Sequence, residues 1–157
     1  ESLMYLTASR PYIMFAVCAC ARHQVTPKDC HLHSVKRIFR YLKGHPKLGL
    51  WYPKASPFDL VAYSNSDYGG AFQDRKSTIG GSQFLGRRLI SWQCKKQTIV
   101  ATSTTEAEYV AAASCYGQVL WIQNQLLDYG EISILSCKYW NDESLTMSDV
   151  IFVYSDI

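Results

Sequence analysis

The first segment of the chain is apolar on most of its faces and follows a helix-start signal. Ser9 and Pro11 provide that signal, because a hydroxyl can cap free backbone amides and proline is tolerated in the first turn. The sequence from there to Arg22 predicts a helix, and its nearly uniform apolar character predicts that it is buried.

The next segment has the hydrophobic period of an amphipathic helix. Thr26, Pro27 and Asp29 supply a cap, a first-turn proline and an acid near the positive end of the helix dipole. Gly44 followed by Pro46 predicts where the helix ends. Its inner stripe is predicted at helical spacing and comprises Leu32, Val35, Phe39 and Leu42.

The hydrophobic period changes after a short break at 54–57, which follows Pro53 and ends at Pro57. Phe58, Leu60 and Ala62 alternate with Asp59, Val61 and Tyr63, which predicts a strand that ends at Ser64–Asn65. Two more strands are predicted at 78–85 and 88–93, separated by Gly86.

A long helix and a further strand complete the pattern. Ser103 and Glu106 form a capping box, and Gly130 predicts the helix end. The predicted inner stripe of this helix comprises Val110, Ala113, Gly117, Leu120 and Leu127. The sequence at 132–139 then predicts a strand. Because consecutive strands favour antiparallel pairing and a strand reached through a helix favours parallel pairing, we predict an α/β fold with a mixed sheet and a helix on one face.

Composition adds a charge asymmetry to this picture. The chain has 157 residues, a net charge of +3 and 48% hydrophobic residues, which suits a packed core. Residues 1–60 carry nine bases and three acids (+6), whereas residues 61–157 carry seven bases and ten acids (−3). The longest apolar run, at 13–20, is too short to cross a bilayer, and no secretory signal precedes it. We therefore expect an intracellular protein without membrane contact, built from two pieces with different roles.

The six cysteines do not have the spacing of a metal site or a disulfide framework. Cys18 and Cys20 form the one close pair, and the sequence has no C-x-x-C motif. Buried reduced thiols are therefore expected. The four histidines lie in the basic block and lack the spacing of zinc ligands.

Acidic and amide side chains fall at three places that the predicted fold would bring together. They lie at the end of the first strand, in the first turns of the long helix and at the end of the last strand: Asn65 and Asp67, Glu106 and Glu108, Asn141 and Asp142. Clustered carboxylates are the ligands that hard divalent cations require. The alternative is that these residues are helix caps and solvated loop acids.

Several motifs, in order along residues 2–145, resemble the Pol polyprotein of copia-type LTR retrotransposons, especially plant copies. The motifs are SLMYLTASRP (2–11), VKRIFRYLKG (35–44), LGLWY (48–52), AYSNSDY (62–68), DRKST (74–78), FLG (84–86), SWQCKKQ (91–97) and STTEAEYVA (103–111). The resemblance implies that residues 1–54 are the helical thumb and connection tail of a reverse transcriptase. It implies that residues 58–145 are an incomplete ribonuclease H domain, with a divergent tail at 146–157.

The resemblance also implies a site that binds two Mg²⁺ ions and hydrolyses the RNA strand of RNA–DNA hybrids. The catalytic glutamate of the family corresponds to Glu108, and Asn65 and Asn141 stand where the family has aspartates. Glu106 falls at the capping position, which makes it structural. Neighbouring Asp67 and Asp142 would be metal ligands only if their loops bend favourably, and solvated loop acids otherwise. Because amides carry no charge, we expect weak Mg²⁺ binding and impaired catalysis in this copy.

Basic residues in the same motifs are candidates for nucleic-acid contacts. They comprise Arg75, Lys76, Ser77, Lys95 and Lys96, together with Lys36, Arg37 and Arg40 on the second helix. Ordinary solvation of turns and of a helix face is the alternative for each group. Trp92 and Tyr109 are expected in the core rather than as stacking surfaces for bases.

The sequence therefore predicts a fragment of a retrotransposon Pol polyprotein. Its expected partners are RNA–DNA hybrid or other nucleic acid and the remainder of the polyprotein, in a cytoplasmic particle or the nucleus. Two alternatives are a non-catalytic nucleic-acid-binding module and a relic without a selected function.

Overall fold

The computed structural model describes residues 2–54, 57, 59–71, 73–130 and 135–139. The chain divides between Trp51 and Tyr52 into two compact units. The described residues 2–51 are called the N-terminal unit, and those from Tyr52 to Tyr139 are called the sheet unit. Within the described residues, no helix combines the length and the apolarity needed to cross a membrane.

The N-terminal unit consists of helices, as the sequence predicts. Its elements are α1 (Ser2–Leu6), a 3-10 turn (Pro11–Ile13), α2 (Met14–Ala21) and α3 (Asp29–Gly44). Ile13, Val17 and Ile38 form its buried core. Burial of these aliphatic side chains, each worth about 1.5–3 kcal/mol, is what holds α2 against α3.

The predicted N-caps at Ser9 and Thr26 are wrong, whereas the predicted helix end at Gly44 is confirmed. Ser9 donates its hydroxyl to the carbonyl of Leu6, so it closes α1 rather than opening the next helix. Helix α3 begins at Asp29, two residues later than the Thr26 cap implies. Its first turn is closed by His31, whose Nδ1 accepts a hydrogen bond from the Lys28 backbone amide at 3.1 Å.

The predicted inner stripe of α3 is wrong for two of its four residues. Leu32 and Phe39 are 51% and 53% exposed, whereas Ile38 is buried and Leu42 packs against it. At 3.6 residues per turn, Leu32 and Phe39 lie about 100–120° around the helix from Ile38. The basic residues Lys36, Arg37, Arg40 and Lys43 are exposed, which is compatible both with a solvated face and with contacts to phosphates.

The sheet unit contains a four-stranded mixed sheet. Its strands are β1 (Leu60–Ser66), β2 (Thr78–Leu85), β3 (Arg88–Lys96) and β4 (Leu135–Tyr139), in the spatial order β3-β2-β1-β4. Strands β1, β2 and β3 pair antiparallel, and β4 pairs parallel to β1, so the predicted pairing is confirmed. The second strand has its predicted bounds, whereas β1 and β3 extend three residues or less beyond the predicted ends.

Helix α4 (Thr104–Asp128) crosses the sheet and supplies its core. The residues of α4 that are buried are Ala107, Ala111, Cys115, Val119 and Ile122. Cys115, Val119 and Ile122 form one core cluster with Leu60 and Ala62 of β1. The alternation predicted for the first strand is therefore confirmed at Leu60 and Ala62.

The predicted inner stripe of α4 is wrong. Ala113 and Gly117 are exposed, Leu120 and Leu127 are 40% and 53% exposed, and Val110 is half-buried. The face that contacts the sheet instead carries alanines at its N-terminal end, where small side chains let helix and strand approach closely. Tyr109 is also misassigned, because it is 73% exposed on the outer face rather than in the core.

Gly86 is required by the turn between β2 and β3. Its φ is +50°, and a Cβ atom there would lie 1.9 Å from the carbonyl oxygen of Pro57. Any side chain at this position would therefore clash with backbone as well as strain the turn. Gly130 follows α4 with a φ of +78°, which confirms the predicted helix end.

The cysteines whose side chains the structure describes are reduced thiols, but they are not all buried. Cys94 and Cys115 are buried, Cys18 and Cys20 are half-buried, and Cys30 is exposed. Burial raises the pKa of the Cys20 thiol. The expectation of buried thiols is therefore wrong for Cys30.

Candidate functional site

The end of β1 and the start of α4 meet at a carboxylate. Glu108 lies in the second turn of α4, and its Oε1 accepts a hydrogen bond from the Ser66 backbone amide at 3.1 Å. Ser66 is the last residue of β1 and directly follows Asn65. The structure therefore brings together the backbone of the first predicted site segment and the side chain of the second.

Burial governs the electrostatics of Glu108. Desolvation raises the pKa of this carboxyl above its ordinary value, and the hydrogen bond from Ser66 opposes that shift. A carboxylate that is half-buried yet held by a backbone amide is suited to accept a further cationic partner, because such a partner would favour its charged form.

Glu106 has a structural role, as predicted. Its Oε2 accepts hydrogen bonds from the backbone amide and the hydroxyl of Thr102, both at 2.6 Å, and these bonds lower the pKa of Glu106. The Ser103 hydroxyl accepts from the Glu106 amide at 3.1 Å. The predicted N-cap at Ser103 is confirmed, and its geometry fixes where Glu108 lies along the strand end.

Asn65 is half-buried and stands in β1 opposite Gly80 of β2. Because side chains alternate along a strand, Asn65 lies on the face opposite to buried Ser64. Leu60 and Ala62, on the same face as Ser64, pack against α4, so Asn65 lies on the face away from that helix. Its connection to Glu108 runs through the backbone of Ser66.

Asp67 is engaged in closing the loop that follows β1. Its Oδ1 accepts a short hydrogen bond from the Thr78 amide, and its own amide donates to the Thr78 carbonyl at 3.3 Å. The other carboxylate oxygen lies against Gly70, where a Cβ atom would come within 2.3 Å of it. Asp67 therefore supports the loop in this conformation.

The described residues do not fit a site for two Mg²⁺ ions. No group of three or more His, Cys, Asp or Glu side chains within those residues is arranged to hold a metal ion. Asn141 and Asp142 lie outside the described residues, as does the tail 146–157. The described residues provide one carboxylate oxygen of Glu108 that accepts no hydrogen bond, and the neutral amide of Asn65. These are too few ligands for two divalent ions.

The basic motif residues form a network that joins two loops. Lys76 donates to the Thr98 carbonyl at 2.7 Å, and Lys96 pairs with Asp74 at 2.6 Å, which lowers the pKa of Asp74. Tyr68 donates its hydroxyl to the Thr102 carbonyl at 3.1 Å. These contacts tie the loop after β1 to the loop before α4, next to Glu108.

The remaining predicted nucleic-acid residues differ in accessibility. Arg75 and Lys95 are exposed, so their charges face solvent. Ser77 is fully buried, and its hydroxyl accepts from the Gly69 amide at 3.1 Å. Ser77 therefore supports the loop in this conformation and does not face a ligand. Trp92 is half-buried.

Sequence reasoning missed one buried polar residue at this site. Gln97 is 3% exposed, and its Nε2 donates to the Ala107 carbonyl at 2.8 Å and to the Ser66 hydroxyl at 3.1 Å. The sequence feature that could have indicated Gln97 is its position at the end of the SWQCKKQ motif, directly after a strand.

Comparisons with known proteins identify relatives along most of the chain. It is 39% identical over 82% of its length to the "Retrovirus-related Pol polyprotein from transposon RE2" of Arabidopsis thaliana, of which it spans 9%. It is 38% identical to the corresponding polyprotein from transposon TNT 1-94 of Nicotiana tabacum, of which it spans 10%. It is also 34% identical to "Secreted RxLR effector protein 161" of Plasmopara viticola, and it covers 86% of that protein. No family model and no solved structure matches the chain.

Fold and site define an α/β unit whose long helix brings a carboxylate to the end of the first strand of a mixed sheet. This arrangement is compatible with a ribonuclease H-like fold. Over 82% of its length the chain is homologous to a segment of retrotransposon Pol polyproteins. It spans about a tenth of the length of the transposon polyproteins named above.

Proposed function

We propose that the chain is part of the reverse transcriptase and ribonuclease H region of a Pol polyprotein, and that the sheet unit is its ribonuclease H domain. One observation carries this proposal: Glu108 of α4 is held against the end of β1 by the Ser66 amide. The family reaction is Mg²⁺-dependent hydrolysis of RNA in an RNA–DNA hybrid. The N-terminal unit would then be the tail of the reverse transcriptase, and the rest of the polyprotein and nucleic acid would be its partners within the cell.

Catalysis is impaired in this copy because its site has lost charge. Asn65 replaces one expected aspartate, and Asn141 replaces another. An amide oxygen can ligate a cation but does not neutralise it, so the site lacks about two of the negative charges that two divalent ions require.

A cleavage assay tests the proposed impairment. Purified protein with Mg²⁺ should leave a labelled RNA–DNA hybrid intact, and Glu108→Gln should give the same result, because the site cannot assemble. Gln is the matched control because it keeps the size of the side chain and removes its charge. Mg²⁺-dependent cleavage that Glu108→Gln abolishes would contradict the impairment, although it would support the assignment of the domain.

A second candidate function is binding of nucleic acid without cleavage. Exposed cations favour it: Arg75 and Lys95 on the sheet unit, and Lys36, Arg37 and Arg40 along α3. Such side chains contact phosphates without reading sequence, so they would support binding even where chemistry is lost.

Salt dependence tests the binding function. Affinity for a hybrid should fall steeply as salt rises. Arg75→Gln with Lys95→Gln should lower the slope of log K against log salt by about two, because each substitution removes one cation that neutralises a phosphate. Lys47→Gln, at another exposed lysine, is the control and should leave the slope unchanged. An equal effect of both sets of substitutions would indicate nonspecific attraction, and absence of binding at low salt would eliminate this function.

A further inference from the structure

A single buried amide connects both halves of the candidate site. Gln97 follows β3, two strands away from β1 in the sheet, yet its side-chain nitrogen bonds to Ser66 and to Ala107. Ser66 is the neighbour of Asn65, and Ala107 is the neighbour of Glu108. One NH₂ group has two hydrogens, so both bonds can form at once.

The backbone of Gln97 is fixed as well. Its amide donates to the Ser77 carbonyl at 2.8 Å, which anchors it to the residue before β2. Ala107 is 1% exposed and Gln97 is 3% exposed, so bulk water has little access to this contact. The side chain therefore bridges the end of β1 and the first turns of α4 from a rigid base.

We infer that Gln97 is a positioning residue, which sets the distance between the β1 end and α4 and thereby holds Glu108 on the Ser66 amide. Gln97 does not contact a reacting group itself and acts through Ser66 and Ala107. The inference rests on the proposed function only in that Glu108 and Asn65 are taken as the site residues.

Gln83 provides a matched control within the same sheet. It is also a fully buried glutamine, and its Nε2 contacts α4 through the Cys115 sulfur at 3.5 Å. Cys115 lies eight residues beyond Ala107, about two helical turns from the site. In the described part of the chain, neither the Oε1 atom of Gln83 nor that of Gln97 accepts a hydrogen bond. The two residues therefore differ mainly in the groups to which their Nε2 atoms donate.

Hydrogen exchange at Ser66 is the test, because its amide makes the bond to Glu108. In the full chain, Gln97→Met should accelerate exchange of the Ser66 amide about tenfold, whereas Gln83→Met should leave it unchanged at matched global stability. Methionine preserves the length of the side chain and removes the hydrogen bonds. No acceleration in Gln97→Met, or an equal acceleration in both variants, would overturn the inference.

A second variant keeps the test decisive if Gln97→Met does not fold. Ser66→Ala removes the hydroxyl that Gln97 contacts and retains the backbone amide at position 66. Faster exchange at that position supports the inference, and an unchanged rate overturns it. Neither result depends on nuclease activity, so detection of hybrid cleavage would count against the proposed impairment and leave this inference unaffected.

Discussion

Val119→Asp is expected to abolish cooperative folding of the sheet unit. Val119 is 0% exposed and packs with Leu60, Ala62 and Ile122 in the core between α4 and β1. Burying an unpaired carboxylate costs several kcal/mol, and loss of the valine adds about 1.5–3 kcal/mol. The total of about 5 kcal/mol or more reaches the whole stability of a typical small domain.

Leu120→Asp is the control, because it places the same charge on the next residue of the same helix. Leu120 is 40% exposed, and exposed substitutions change stability by about 0.5 kcal/mol or less. Urea unfolding, followed by circular dichroism, measures both variants. If Leu120→Asp were as damaging as Val119→Asp, α4 would contact the sheet through the face that the sequence pattern predicts.

The strands were predictable from sequence because their pattern and their turns agree. Leu60 and Ala62 recur at every second position of the strand, and Gly86 occupies a backbone conformation that the turn requires. Short connections between β1, β2 and β3 then leave antiparallel pairing as the simplest topology. Local chemistry and overall fold point in the same direction in this part of the chain.

The helix faces were not predictable, because both long helices expose apolar residues. In α4, Tyr109, Tyr116 and Leu127 lie outside while alanines lie inside, so hydrophobic period alone identifies the wrong face. The size of the gap to the sheet, which favours small side chains, is a property of the tertiary structure. In α3, Leu32 and Phe39 are likewise exposed although both are apolar.

The candidate site was predictable only in part. Resemblance of the STTEAEYVA motif identified Glu108, and the capping pattern identified Glu106 as structural. The bridge through Gln97 joins residues that lie 31 and 10 positions away from it, so no local pattern could indicate it. Asp67 likewise depends on a contact with Thr78 that forms only when β2 pairs with β1.

Restoring carboxylates at positions 65 and 141 is expected to increase Mg²⁺ binding and hybrid cleavage. Asn65→Asp adds a charge at the strand end that Ser66 joins to Glu108. Two opposite unit charges about 4 Å apart attract by about 1–4 kcal/mol at effective dielectric constants of about 80 to 20. The attraction between a carboxylate and a divalent cation at that distance is twice as large. Each carboxylate should therefore tighten Mg²⁺ binding by about tenfold or more, since 1.4 kcal/mol is a factor of ten.

The double variant Asn65→Asp, Asn141→Asp should cleave an RNA–DNA hybrid that the unchanged chain leaves intact. The two substitutions supply the negative charge whose absence is proposed to impair the site. Calorimetric titration with Mg²⁺ measures binding, and a labelled hybrid measures cleavage. Glu108→Gln in the double variant is the control and should remove cleavage again, since Glu108 is the carboxylate already held at the strand end. Tighter Mg²⁺ binding without cleavage would show that missing charge is not what prevents hydrolysis. Unchanged Mg²⁺ binding would contradict a shared site for positions 65, 108 and 141.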